Sequence, residues 1–504
     1  MKRIKSVGAL VVALVLTLAM PLSVFADTHT VKSGDELWKI AQEYNVSVED
    51  LAKANAISNS NLIMPGQVLN IPGDGMASQA QAQGQVKNVI VLIGDGMGFG
   101  QMELARLMEY GPKGKLHMEA IENTAFVKTN SYDNIVTDSG AAGTAIATGV
   151  KTINKAIGVD ENGVEVDSMA DYFKDMGKSI GIISTNTVYD ATPAAFGASA
   201  TNRGDKGEIV RDMLEENWDV ILGGGSKYFG PKKQDGEDYI EKFKSAGYTY
   251  VETQSELNSV QNADKLLGLF SYDYMSYKAD REEINSTEPS LKDMTKVALD
   301  VLAKDQDGFF LMSEGARIDH AAHAADGTGV WKELIEFDEM VKYCMEWVEG
   351  RDDTLLIVTA DHETMAVGAS EALNIQALKA VEVSPEYMAS KLVKTEDETM
   401  YTLDSIKSVY KEYANIELTD EEAKELQEIV TVDLYAYKAG WEMGSVIAKK
   451  FGVAAMDPEL RKYGVTGGHT AAWVPLFATG TGAESFDGVL DNIEIFPMIQ
   501  NIVK

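Results

Sequence analysis

The chain has 504 residues, enough for one large core plus a small one, because single cores rarely exceed roughly 250–300 residues before they split or take on insertions. Its 45 basic and 78 acidic residues leave a formal charge of −33, which argues against a phosphate-backbone partner, since nucleic-acid binding needs clustered Lys and Arg. Solubility and divalent cations are the themes such a composition favours.

The opening residues 1–26, MKRIKSVGALVVALVLTLAMPLSVFA, have a basic start, an apolar stretch, Pro21 and small residues ending at Ala26. They read as a secretory signal peptide cleaved after Ala26. The competing reading is a retained membrane anchor, against which stand Pro21 and the polar Asp27. No later stretch is apolar enough to span a bilayer. One cysteine, Cys344, excludes an intrachain disulfide. With Phe337, Val341 and Val348 at helical spacing, it reads as a core residue.

Residues 28–73 follow, with two short helical patterns between strand-like ends. Ser33 and Glu36 form a capping-box pattern ahead of Leu37, Ile40, Ala41 and Tyr44, and Ser47 opens a second helix carrying Leu51. Val68 to Ile71, behind the Pro65-Gly66 turn, close the unit as a strand. The ordered segments VKSGDELWKIA, NVSVEDLAKAN and NLIMPGQVLNIP closely resemble the LysM module. That resemblance implies a small βααβ domain that binds N-acetylglucosamine polymers and holds the protein on peptidoglycan. Residues 74–85 are small and polar without apolar periodicity, which predicts a flexible linker.

From Val86 strands alternate with helices. Three runs, Val89 to Asp95, Gly308 to Glu314 and Thr354 to Asp361, are continuously apolar and each ends in a carboxylate. Continuous runs suit strands buried on both faces of a parallel sheet, and ligands bind at the carboxyl edge of such sheets. The three acids are therefore expected to converge. Residues 368–465, with a capping box at Thr419 and Glu422 and many charged helical positions, read as a helix-rich insertion on the sheet.

The chain has only six histidines. EGARIDHAAH places Glu314, Asp319, His320 and His323 near one strand end, and Asp319 with His323 is an i, i+4 pair able to face one way on a helix. TADHET puts Asp361 beside His362, and TGGHTA puts His469 on a glycine turn. Imidazole and carboxylate together suit zinc. Asp190 and Thr192 lie in DATPA, with Arg203 beyond. VTDSGAAGTAIATG leaves Ser139 two roles, a nucleophile or the N-cap of an alanine-rich helix.

In order, IGDGMG, TDSGAAGTAIATG, DATPA with Arg203, EGARIDHAAH, TADHE and GGHT closely resemble the alkaline phosphatase family over residues 86–504. The resemblance implies an α/β fold with a large, mostly parallel sheet flanked by helices. It further implies hydrolysis of phosphate monoesters through a phosphoserine intermediate at Ser139, with two Zn2+ and one Mg2+ as cofactors. By the family pattern, Asp319, His323 and His469 hold the first zinc, and Asp95, Asp361 and His362 the second. Asp95 is then shared with the magnesium, completed by Glu314, Thr192 and, directly or through water, Asp190, an oxygen set that magnesium prefers. Arg203 would fork two phosphate oxygens, which lysine cannot do, and Asp138 would orient it. Ser139 gains on the order of 1 kcal/mol from a helix N-terminus and several kcal/mol more from a zinc on its oxygen, so the resemblance favours the nucleophile. His320 occupies a position that varies within the family: it touches phosphate through water or stands behind the site, and with Asp190 it leaves the identity of the third metal open. Family members are commonly homodimers.

Other readings remain distinct. A phosphodiesterase or sulfatase of the same superfamily would share the two-metal residues but lack Glu314, Thr192 and Asp190 together. A peptidoglycan-binding protein with a decayed catalytic domain would have lost ligands, whereas all of them and Ser139 are present. A peptidoglycan hydrolase needs a carboxylate pair or another hydrolytic motif, which is not found.

Overall fold

In the first of two units, residues 1–83, a pair of antiparallel strands encloses two helices. The computed structural model describes residues 25–32, 37–44, 46, 48–55, 57, 63, 67–72 and 86–503. Strand β1 (Phe25–Thr30) pairs with β2 (Val68–Pro72), with helices Leu37–Glu43 and Val48–Ala54 between them in the chain. Val31, Leu37, Ile40, Ala41, Leu51, Leu69 and Ile71 form the core, and Asn55 ties the second helix to β2 by donating to Asn70 O at 2.8 Å and accepting from Asn70 N at 2.6 Å. The expected βααβ order is therefore present. Phe25 pairs with Pro72, so cleavage after Ala26 would trim the first rung and leave Asp27 to Thr30 on β2. Most of the signal segment, the linker, and Ser33, Glu36 and Ser47 lie outside the described residues.

The second unit, residues 84–504, is built on ten strands. In chain order they are β3 (Asn88–Gly94), β4 (Asn123–Lys128), β5 (Ser179–Thr187), β6 (Val220–Gly224), β7 (Thr249–Val251), β8 (Leu266–Leu269), β9 (Phe309–Gly315), β10 (Thr354–Thr359), β15 (Val474–Gly480) and β16 (Gly488–Asp491). Four short strands, β11 (Glu363–Thr364), β12 (Gly368–Ala369), β13 (Val453–Ala454) and β14 (His469–Thr470), stand apart as pairs β11 with β14 and β12 with β13. The sheet runs β16-β4-β15-β10-β3-β9-β5-β6-β8-β7, and only β15 opposes its neighbours. The three continuous apolar runs are the central strands β10, β3 and β9, buried along their whole lengths, as their composition requires. Cys344 is buried in the core with Phe337, Val341 and Val348.

The insertion contributes five α-helices, of which Pro385–Ser390, Leu403–Ala414, Asp420–Ile429 and Ala436–Phe451 pack on an apolar cluster of their own. Its ends are pinned where Gly368 pairs with Ala454. The Thr419 capping box forms, with Glu422 N donating to Thr419 Oγ1 at 3.2 Å and Thr419 N to Glu422 Oε2 at 2.9 Å. Helix Ala436–Phe451 comes close to the backbone at Ala324 because Gly444 lacks a side chain: a Cβ there would lie 2.1 Å from Ala324 O. Among the described residues no helix is long and apolar enough to cross a membrane.

Candidate active site

Register sets the site. Thr359 pairs with Ile93, Ile93 with Glu314, and Glu314 with Ser184, so β10, β3 and β9 end within a residue of one another while β5 runs on to Thr187. Asp95 and Asp361 stand just beyond β3 and β10, and Glu314 in the last turn of β9's pleat, all buried. Gly96 then turns with φ of 70°, and a Cβ on it would meet Asp319 Cα at 2.8 Å. That close approach brings helix Arg317–His323 against the turn. The β11–β14 pair, Thr364 opposite His469, adds the remaining imidazoles.

Two sets of buried groups meet: Asp319, His323 and His469, and Asp95, Asp361 and His362, the ligating atoms of each set lying within 4.8 Å of one another. His323 Nε2 is 3.2 Å from Asp319 Oδ2, and His362 Nε2 is 3.2 Å from Asp361 Oδ2 and 3.5 Å from Asp95 Oδ1. The outer ring nitrogens are already engaged, His469 Nδ1 with Thr137 O and His323 Nδ1 with Gly467 O, each at 2.9 Å. A backbone carbonyl accepts only, so both rings donate from Nδ1 and turn Nε2 inward, the orientation that metal-ligating imidazoles take.

The electrostatics fit a cation. Burial and then Asp361 and Asp319 push the Asp95 carboxyl well above the usual range, and burial likewise raises Asp361 and Glu314. Burial holds His362 and His469 below the ordinary imidazole value, hence neutral. Asp95 Oδ1, Asp361 Oδ2 and Thr192 Oγ1 are buried without a hydrogen-bond partner. Crowded carboxylates, neutral imidazoles and orphaned oxygens in one place are the donor set of divalent metals.

Ser139 sits at the edge of this cluster, its Oγ 3.2 Å from His362 Nε2. The helix it begins, Ser139–Thr148, is buried at every position, and its N-cap is Asp138. The N-cap reading of Ser139 is thereby corrected: Asp138 Oδ1 accepts from Ala141 N at 3.1 Å and Lys155 N at 3.0 Å, which frees the serine hydroxyl. The other Asp138 oxygen accepts from Arg203 Nη1 at 3.0 Å.

Asp190 stands outside both ligand sets. Its Oδ2 accepts from Arg203 Nη2 and Asn186 Nδ2, each at 3.0 Å, and Lys206 Nζ is 3.8 Å from Oδ1. Arg203 is therefore held by two carboxylates, which outweigh the cost of its burial and raise its affinity for the proton, while three of its five N–H groups have no partner among the described residues. His320 Nδ1 meets Arg317 Nη1, and burial and that guanidinium press its pKa to about 3. Ser139, Arg203, Asp190 and His320 border one cavity of about 550 Å³.

Some contributors had no role in the sequence reading. Thr364 donates to Asp319 Oδ1 at 2.6 Å. Glu363 accepts from Gln101 and Thr470, both at 2.5 Å, which ties β11 and β14 to the helix after the β3 turn. Both residues lie inside TADHET, but their partners are distant in the chain. Trp441 stacks on His323 from the insertion, with centroids 4.7 Å apart, and its helical spacing gives no signal beyond core packing.

The alkaline phosphatase family model matches residues 86–504. The chain belongs to the alkaline phosphatase family. The LysM domain model matches residues 29–72. Alkaline phosphatase 4 of Bacillus subtilis (strain 168) is 35% identical over 445 residues, which span 85% of this chain and 91% of that protein. The alkaline phosphatase of Escherichia coli (strain K12) is 33% identical over 383 residues, 64% of this chain and 81% of that protein. Thermus thermophilus alkaline phosphatase shares the fold with a TM-score of 0.75 at 27% identity, over 86% of this chain and 96% of that one. A substituted form of the TAB5 alkaline phosphatase, with magnesium bound, aligns with a TM-score of 0.60 at 28% identity over 83% of this chain and 98% of that one. This alkaline phosphatase is thus a hydrolase of a metal-dependent family, with the expected α/β architecture and a LysM domain at its N-terminal side.

Proposed function

We propose that the protein is a secreted enzyme that hydrolyses phosphate monoesters through a phosphoserine at Ser139, and that its LysM module holds it on peptidoglycan. The observation that carries the reading is the freed Ser139 hydroxyl, 3.2 Å from His362 Nε2, at the N-terminus of a buried helix with Arg203 beside it. Asp319, His323 and His469 would hold one Zn2+, Asp95, Asp361 and His362 a second, and Asp95, Glu314 and Thr192 one Mg2+, with Asp190 near it. Bound there, divalent cations supply Lewis acidity that lowers the pKa of a hydroxyl or water and neutralises developing negative charge.

Arg203 binds the phosphate through the N–H groups that Asp138 and Asp190 leave free. Those two carboxylates keep its planar fork in position before substrate arrives, which reduces the ordering cost at the transition state. Ser139 Oγ attacks phosphorus, the P–O bond to the alcohol breaks, and the alcohol leaves with a proton. Water then attacks the phosphoserine, the P–Oγ bond breaks, and Ser139 regains its hydroxyl as inorganic phosphate departs. The helix N-terminus favours the negative charge of both steps.

The test is phosphate release from a chromogenic aryl phosphate at mildly alkaline pH, by the mature protein, the chelated protein and Ser139→Ala. Turnover that chelator removes, zinc with magnesium restores and Ser139→Ala lacks supports the reading. A metal-replete protein inert on the monoester but active on a diester or sulfate ester sinks it.

A further inference from the structure

A line of rings leads out of the site. From Ser139 it passes through His362, then His469 with centroids 3.6 Å away, then His323 at 5.1 Å. Trp441 continues it at 4.7 Å and 22°, Tyr437 follows edge-on at 5.5 Å, and Tyr435 stacks on Tyr437 at 5.9 Å and 15°. The last three belong to one stretch of the insertion, the helix Ala436–Phe451 and the residue before it.

The same aromatics reach the cavity beside the serine: Trp441 and Tyr437 border it, as do Arg203, Lys155 and Lys206. Tyr274 also borders it, but Arg317 already lies 4.2 Å over its ring and His320 meets it at 5.5 Å. Tyr437 and Tyr435, by contrast, are 37% and 71% exposed. A solvent-open tyrosine stack whose Tyr437 borders the same cavity as the Arg203 guanidinium matches a ligand with an anionic end and a planar end. At about 550 Å³ the cavity has room for more than a phosphate.

We infer that the Trp441–Tyr437–Tyr435 ladder is a subsite for the alcohol half of the substrate, selecting phosphate monoesters whose primary alcohol carries a planar ring, such as nucleoside 5′-monophosphates. This rests on the phosphomonoesterase reading of Ser139. The phosphate lies toward Ser139 and Arg203, and the ring of the alcohol stacks along the insertion helix. Stacking of a base on an aromatic side chain is strong enough to change affinity fivefold or more.

The experiment compares kcat/KM for a purine nucleoside 5′-monophosphate and for glycerol 1-phosphate, both esters of primary alcohols, so that the chemical step is alike and the ring is the difference. The metal-loaded full chain, Tyr437→Ala and Tyr437→Phe are measured, together with quenching of tryptophan fluorescence by the free purine nucleoside. The expected wild-type ratio is about five or more in favour of the nucleotide; Tyr437→Ala brings it toward one through KM, and Tyr437→Phe keeps it. Saturable quenching should be present in wild type and weakened in Tyr437→Ala. A wild-type ratio near one, or a ratio that Tyr437→Ala leaves intact, overturns the inference. If neither ester releases phosphate, the phosphomonoesterase reading fails instead, and the nucleoside titration alone decides the subsite: saturable quenching lost in Tyr437→Ala upholds it, and its absence in wild type ends it.

Discussion

Asp138 holds Arg203 at 3.0 Å with one carboxylate oxygen and caps the Ser139 helix with the other. One side chain thus couples the position of Ser139 to that of Arg203. Asp138→Asn keeps a capping oxygen but loses the charge, whereas Asp138→Ala loses both. Inhibition by inorganic phosphate should weaken about tenfold in both variants, because the guanidinium loses an ionic tether. Thermal stability should fall only in Asp138→Ala, by about 1 kcal/mol, the worth of an N-cap. Equal loss of stability in the two would show that the cap is not what separates them.

Metal removal should act on stability as well as on rate. Asp95, Asp361 and Asp319 are buried together; Asp361 and Asp319 disfavour ionisation of Asp95, and Asp319 disfavours that of Asp361. A chelated sample should melt well below the loaded one and recover with zinc, because ligands that bind only the folded state stabilise it. Asp361→Asn removes one buried charge from the metal-free cluster, so its chelated form should melt above chelated wild type, while its gain on adding zinc should be smaller. Calorimetry of the four samples checks both differences.

Asp326 offers a pH test away from the site. It caps helix Gly327–Val348 through Thr328 N at 3.1 Å, and burial lifts its pKa from 3.8 to about 6. A raised carboxyl favours folding fully below about pH 4, and that contribution is lost as pH climbs through 6. Asp326→Asn, itself a good cap, should match wild type at pH 4 and exceed it at pH 8 by on the order of 1–3 kcal/mol. Melting curves at the two pH values settle the sign.

The LysM unit should be separable from catalysis. Its core draws on Val31 to Ile71 and the phosphatase core on Val86 onward. Deleting residues 27–83 should leave kcat/KM on a soluble aryl phosphate within about twofold, while co-sedimentation with purified peptidoglycan falls to background. A large loss of activity on the soluble substrate would contradict this division.

Much of this is legible in the sequence alone. β3, β9 and β10 announce themselves because burial on both faces demands unbroken apolar runs, and the acids at their ends converge because parallel strands finish at one edge. What could not be read is whatever depends on partners remote in sequence. Asp190 turning to Arg203 as well as facing the acidic cluster, Thr364 reaching Asp319, and Trp441 lying on His323 are settled by packing. The exchange of roles at the helix start, Asp138 capping in place of Ser139, follows from the helix beginning one residue earlier than a serine cap would require.

The lone reversed strand, β15, has a temporal meaning. Because it runs against β10, its beginning lies at the sheet edge where its neighbours end, and His469 on β14 arrives there just ahead of it. Asp319 and His323 come much earlier in a chain of 504 residues. A polypeptide threaded out of a cell from its N-terminus would therefore expose an incomplete first ligand set until almost its whole length had emerged, and tight capture of that ion would mark the end of assembly.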